Sequence, residues 1–299
     1  MLIKSWVALC LMLATSLVHA GMITVTHPLG ETTLESKPAR VIVLGMDTLD
    51  VLDNLGIEPV AVVKSPMPHY LSKYQDDSYV SAGSLFEPDF ETIFALKPDL
   101  IIASNRSSES YPELSKIAPT IVFMADARRY WQSTQAAWRM MGKVFEREED
   151  IERKINQAQA RIDQIRQQTK ITKPKALVVM TNGGKLTTFG QDSRYGAIFT
   201  LFGFEPADSN NANKVHGDLI SYEYIAQSDP EHLLILDRDQ AIGRDSGETF
   251  KKLDNPLMSQ TQAAKNNRIH FLNPHAWYIS ASGIQATQMM IDDMSQAVK

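Results

Sequence analysis

The sequence predicts two pseudo-equivalent α/β lobes, each three-layered with a mostly parallel sheet, joined by one long helix. The first observation is alternation. Short apolar runs bounded by Gly, Pro and polar residues take turns with segments of helical periodicity, the pattern of parallel sheets covered by helices. The second is an internal repeat. From Glu91 the chain reads ETIFALKPDLIIASNR and from Glu223 it reads EYIAQSDPEHLLILDR; Glu to Pro is seven residues and Pro to Arg is eight in both. Upstream, Lys37-Pro38 and Lys173-Pro174 each open an apolar run, and Leu55-Gly56-Ile57-Glu58-Pro59 is answered by Phe202-Gly203-Phe204-Glu205-Pro206. The third is Glu148 to Thr169, free of Gly and Pro, with Ile151, Ile155, Ala158, Ile162 and Ile165 on one stripe. That spacing predicts one amphipathic helix, about 33 Å long at 1.5 Å per residue.

In chain order, Met22 to Thr26 and Thr32 to Leu34 read as a hairpin around Pro28-Leu29-Gly30. Val41 to Leu44 is the first buried strand. A helix over Thr48 to Leu55 stops at Gly56, and Val60 to Val63 is the next strand. Lys64 to Ser84 is a long loop with Tyr70 and Tyr74, of a length that commonly serves binding. A helix over Glu87 to Leu96 and a strand over Leu100 to Ala103 form the repeat unit. Pro112 to Ile117 is helical, Thr120 to Met124 extended and Ala136 to Phe145 helical. The long helix reads as a strut; its stripe is short for a coiled-coil seam. A helical strut resists bending, whereas extended crossovers would permit large hinge closure. The final helix is expected over Gly283 to Val298. The implied organisation is a targeting segment over 1–20, a first lobe over 21–140, a connecting helix region over 141–171 and a second lobe over 172–299.

The 299 residues are 43% hydrophobic and 22% charged, with a net charge of −5. Size and composition fit a two-domain globular protein, and the acidic balance argues against a broad nucleic-acid-binding face. Lys4, the apolar run Val7 to Leu17 and Val18-His19-Ala20 have the form of an export signal cut near Ala20. The single cysteine, Cys10, lies in that run behind Leu9 rather than a small residue, which disfavours a lipoprotein cleavage site. Downstream no cysteine remains, so neither a disulfide nor a thiolate metal ligand is available there.

No catalytic signature is present: no Gly-x-Ser-x-Gly, HExxH, Gly-x-Gly-x-x-Gly or complete phosphate loop. Asn182-Gly183-Gly184-Lys185 reads as a turn. Arginine is the informative residue type. Arg106 and Arg238 hold matching places at the ends of repeat strands, where open α/β sheets bind ligands. Arg194, in the loop Phe189 to Gly196, is either a surface residue or a third donor at a helix N-terminus. Guanidinium groups suit oxyanions because their donors bind bidentately and stack on aromatic rings. His216 lies in a polar loop where a solvent-facing role is the default. Tyr278 follows Trp277 and is ordinarily a packing residue, yet a phenolate is a hard oxygen donor suited to ferric iron, and imidazole can accompany it. Glu91 and Glu223 open their helices, where a carboxylate favours the dipole by about 0.3–1 kcal/mol.

The set Asn105-Arg106, Ser193-Arg194-Tyr195-Gly196, His216-Gly217, Asp237-Arg238 and Trp277-Tyr278 resembles the periplasmic binding proteins for ferric catecholate siderophores, of the enterobactin type and the helical-backbone class. The resemblance covers essentially the whole chain after the targeting segment. It implies a ligand in the cleft between the lobes and no enzymatic activity. By the resemblance, Arg106, Arg194 and Arg238 contact the catecholate oxygens, and His216 and Tyr278 complete the iron shell when the siderophore supplies too few donors. Glu91 and Glu223 become carboxylates that dock on the permease of an inner-membrane ABC importer and its ATPase. The protein would be a periplasmic monomer with no cofactor of its own, Fe(III) arriving as a siderophore complex. The alternatives are a haem or corrinoid binder of the same architecture and, from another class, a metal-dependent hydrolase.

Overall fold

The computed structural model describes residues 21–208, 217–244 and 255–299. Residues 1–20, expected to be a targeting segment, and His216 lie outside the described residues.

The chain opens with the expected antiparallel hairpin, β1 (Met22–His27) and β2 (Gly30–Glu35). The first lobe follows as β3 (Val41–Leu44), α1 (Met46–Leu55), β4 (Ala61–Val62), β5 (Val80–Ser81), α2 (Phe90–Ala95), β6 (Leu100–Ser104), α3 (Tyr111–Leu114) and β7 (Thr120–Phe123). Its sheet runs β5-β4-β3-β6-β7 with every pairing parallel. Strands β3, β6 and β7 are buried along their whole length, which is why they read as continuous apolar runs rather than alternating ones.

Helix α4 (Tyr130–Phe145) begins six residues before the predicted Ala136. Tyr130, Trp131 and Thr134 are buried there, and the Trp131 ring meets Trp138 edge-on. That packing extends the helix beyond the point where its apolar spacing becomes regular. Helix α5 (Glu148–Thr172) is the long one, 25 residues or roughly 37 Å. Its predicted stripe is the buried face, packed on α4 and on the last helix. At its far end the Thr169 hydroxyl donates to the Phe202 carbonyl at 2.9 Å. One continuous helix therefore reaches from the packing of the first lobe to that of the second.

The second lobe comprises β8 (Lys175–Asn182), β9 (Lys185–Phe189), α6 (Ala197–Thr200), β10 (Glu205–Pro206), β11 (Asp218–Ile220), α7 (Tyr222–Ser228), β12 (His232–Asp237), α8 (Arg238–Ala241), α9 (Pro256–Ser259), α10 (Gln262–Lys265), β13 (Ile269–Phe271) and α11 (Ile284–Ala297). Its sheet runs β11-β9-β8-β12-β13, with β10 beside β8. Pairings of β8 with β10 and β12, and of β12 with β13, are parallel. Those of β9 with β8 and β11 are antiparallel. The reversal comes from Asn182 to Lys185: Gly183 and Gly184 take φ of 56° and 79°, as a two-residue hairpin turn requires.

The repeat is written in the backbone as well as in the sequence. Lys37 and Lys173 have φ of 55° and 47°, Lys97 and Asp229 have 48° and 41°, and Gly56 and Gly203 have 69° and 82°. Left-handed conformations are uncommon outside glycine, so the two matched non-glycine pairs mark one unit used twice, and the glycine pair agrees with them. Strands β6 and β12 take the same place, each parallel to the first long strand of its lobe.

The long loop over 64–84 is packed against the first lobe and the chain near Ser280. It contains a helical turn over His69–Gln75 with Leu71 and Tyr74 buried, and the Tyr70 hydroxyl is held by Asp50 and Ser280. The final helix packs against α1 and α5. Buried Asp50 of α1 accepts hydrogen bonds from the Gln285 and Ala286 amides at 2.8 and 2.9 Å. A side chain from the first lobe thus caps a helix at the far end of the chain.

Candidate functional site

The carboxyl ends of β6 and β12 each release an arginine, and one tyrosine stands between them. At the end of β6, the Ser104 and Ser107 hydroxyls both donate to the Leu44 carbonyl, fixing the turn that carries Arg106. Gly45 lies beneath it, and a Cβ there would sit 2.3 Å from the Ser104 Cβ, so only glycine allows this approach. At the end of β12, one oxygen of the buried Asp237 accepts from the Asp239 and Gln240 amides. That cap starts α8 with Arg238 at its first position. Arg194 comes from the turn before α6. Of the two readings of Arg194, the donor is the one the geometry favours, since its guanidinium lies over the Tyr278 ring ahead of the single turn α6.

Tyr278 belongs to a π-type turn over His275–Ile279, a backbone form found often at functional sites. The Asp293 carboxylate of α11 accepts from both the Asn273 amide and the Trp277 indole at 2.8 Å. Burial pushes that carboxyl up to about 6. The three guanidinium carbons then surround the phenol ring, Arg194 at 4.6 Å from its centre, Arg106 at 5.1 Å and Arg238 at 5.5 Å. Arg238 Nε donates to the Tyr278 hydroxyl at 2.7 Å and its Nη1 to Asn182 Oδ1 at 3.0 Å. Arg106 Nη2 donates to the Tyr278 carbonyl at 2.8 Å, a bond that crosses between the lobes.

The electrostatics follow from this crowding. Burial disfavours ionisation of the Tyr278 phenol. The Arg238 hydrogen bond and the fields of Arg238, Arg194 and Arg106 outweigh it, and the phenol titrates below its ordinary range. Three cations whose nearest common neighbour is a neutral ring form a trap for anionic oxygen.

A cleft of about 900 Å³ opens over this cluster, walled by residues of both lobes. Arg106, Arg194, Trp277 and Tyr278 line it, and Phe86 sits at its edge, 63% exposed and 5.4 Å from the Arg106 guanidinium. Sequence reasoning missed Asn182, which orients Arg238, and three carboxylates of the first-lobe wall, Asp47, Glu87 and Glu109. Burial lifts the Asp47 carboxyl to about 7 despite the nearby Arg106 charge. A signal for Asp47 existed: it follows the buried strand β3 at the same edge as Arg106. Asn182 was legible only as a turn residue.

The predicted residues therefore divide. Arg106, Arg194, Arg238 and Tyr278 come together. His216 falls outside the described residues. Glu91 and Glu223 do not line the cleft and are exposed in the first turns of α2 and α7. No group of three or more metal-ligating side chains occurs among the described residues.

Residues 41–276 match the family model described as periplasmic binding protein. The crystal structure of the periplasmic catecholate-siderophore binding protein VctP from Vibrio cholerae superposes with a TM-score of 0.89 and 49% identity, over 92% of this chain and 100% of that one. The petrobactin-binding protein YclQ of Bacillus subtilis is 37% identical over 93% of this chain and 88% of its own length. The ferric-anguibactin-binding protein FatB of Vibrio anguillarum is 35% identical over 91% and 86%.

Proposed function

Because this chain belongs to the periplasmic binding protein family, we propose that its cleft captures ferric catecholate siderophores and that the loaded protein delivers them to an ABC importer. It is a substrate-binding protein, not an enzyme. The observation that carries the siderophore reading is the convergence of Arg106, Arg194 and Arg238 on the Tyr278 ring. A ferric tris-catecholate is a compact trianion whose charge lies on aromatic oxygens. Three guanidiniums match that charge, and cations of this kind are attracted to aromatic rings, as they gather here around a phenol. The names borne by VctP, YclQ and FatB support a siderophore cargo.

Where a siderophore leaves iron coordination sites open, Tyr278 is the proposed protein ligand. Its lowered pKa eases loss of the phenolic proton, and Fe(III) lowers it further. His216 is the proposed second protein ligand. A haem or corrinoid fits less well, since a largely apolar macrocycle gains little from three clustered cations. Export through the segment over 1–20, residence in the periplasm and action as a monomer belong to the same proposal. Glu91 and Glu223, one per lobe, are the proposed contacts with basic side chains of the permease.

Trp277 lines the cleft, so its fluorescence is a natural reporter for a ligand that absorbs visible light. Titration with ferric enterobactin, or with its linear fragments, is expected to quench emission at submicromolar ligand. Unchanged emission at about 10 µM, with a dissociation constant no tighter than that, would sink the catecholate reading.

A further inference from the structure

The two lobes repeat their docking carboxylates but not the surface around them. Aligning Glu91 with Glu223 places Ile93 on Ile225, and both are fully buried beneath their helices. It also places Phe94 on Ala226. Phe94 is 69% exposed and Phe90, one helical turn before it, is 38% exposed. Residues three and four apart on a helix share a face, so Phe90, Glu91 and Phe94 form one patch on α2. The equivalent helix α7 presents Tyr222, Glu223 and Ala226, and both Tyr222 and Ala226 are partly covered. The exposed Leu219 of the second lobe lies on edge strand β11, not on that helix. Neither Glu91 nor Glu223 forms an ion pair among the described residues.

Both helices run back toward the starts of β6 and β12, the strands that deliver Arg106 and Arg238. Their first turns therefore stand at the carboxyl edge of each sheet, flanking the mouth of the cleft. A partner engaging both carboxylates bridges the lobes. With Glu91 and Glu223 alone, such a partner could seat the protein in either of two orientations related by the pseudo-twofold axis. Two exposed phenylalanines on one side remove that degeneracy. Folding gives no reason to leave them in water, because Ile93 already supplies the buried contact of α2, whereas apolar patches rimmed by charge mark interaction sites.

We propose that Phe90, Glu91 and Phe94 form an orientation key for the importer's permease, resting on the docking reading above. The partner surface is a basic side chain beside an apolar socket, present on the permease half that receives the first lobe and absent from the half that receives the second. An asymmetric key is useful only against unlike halves, so the two halves are different polypeptides.

The test is site-specific photo-crosslinking in cells expressing the full chain, with benzoylphenylalanine at position 94 or at position 226. It is paired with uptake of radioactive iron from ferric enterobactin by spheroplasts supplied with Phe94→Ala, Glu91→Ala or Glu223→Ala protein. Two distinct integral-membrane polypeptides are expected, one from each position. Phe94→Ala is expected to lower uptake about tenfold, the loss typical of a truncated aromatic anchor, with ferric enterobactin binding in solution unchanged. Crosslinks from both positions to one polypeptide, or full uptake with Phe94→Ala, overturn the key. If the Glu variants lose uptake while Phe94→Ala keeps it, the key fails and carboxylate docking stands. If all variants transport normally, both fail. The solution titration reports separately on the cleft.

Discussion

Asp50 gives the sharpest stability prediction. Its buried carboxylate accepts from the Gln285 and Ala286 amides at 2.8 and 2.9 Å, from the Tyr70 hydroxyl at 2.9 Å and from the Asn54 amide at 3.0 Å. Asp50→Ala strands the two backbone donors at the start of α11, at roughly 1–3 kcal/mol each. The Tyr70 hydroxyl keeps Ser280 at 2.8 Å. An opposing effect is large. Burial pushes the Asp50 carboxyl from 3.8 to about 6, a displacement worth about 3 kcal/mol against the ionised form. Between those values the folded chain holds a proton the unfolded chain has lost, so stability falls as pH rises through about 6. The alanine variant has no such dependence at this site. The two effects together leave a loss of at most about 3 kcal/mol near pH 8, and the loss is about 1 kcal/mol larger near pH 5. Urea unfolding of both proteins at the two pH values measures it. A loss equal at both pH values would refute this account of Asp50.

Gly283→Ala is expected to cost about 1–3 kcal/mol, because the new Cβ would stand 2.3 Å from Asp50 Oδ2; thermal unfolding reads it, and full stability would place Asp50 elsewhere. Tyr278→Phe should leave tris-catecholate affinity within about threefold and weaken bis-catecholate complexes at least about tenfold, by fluorescence titration. Arg194→Gln should weaken ferric catecholate binding by about 1.5–3 kcal/mol and flatten its salt dependence, since one fewer cation is then screened. Equal salt slopes for the two proteins would remove Arg194 from the site.

Much of the fold was legible because it obeys local rules. The apolar stripe from Ile151 to Ile165 is the buried face of α5, and the Lys-Pro, Leu-Gly and Glu-to-Arg echoes carry matched left-handed residues. Matching Arg106 with Arg238 by spacing placed both at one cluster, because the repeat fixes where each strand ends. What stayed hidden depends on partners distant in sequence. Nothing near Asp50 announces that it caps a helix starting more than two hundred residues later, since the bond exists only after α11 docks. Asn182 was read as a turn residue, and it is one; its hold on Arg238 arises only when β8 pairs with β12. The length of the loop over 64–84 says nothing of its packing, in which Tyr74 is wholly buried and the Tyr70 hydroxyl is held by Asp50 and Ser280.

Crystals grown with a ferric tris-catecholate and measured at the iron absorption edge locate the metal without reference to the protein phases. The expected anomalous peak lies in the cleft beside Tyr278, with the guanidiniums of Arg106, Arg194 and Arg238 turned onto the catecholate oxygens. A peak on an outer face of either lobe, or a bound complex that leaves those arginines packed around the phenol ring as they are now, would contradict the anion trap.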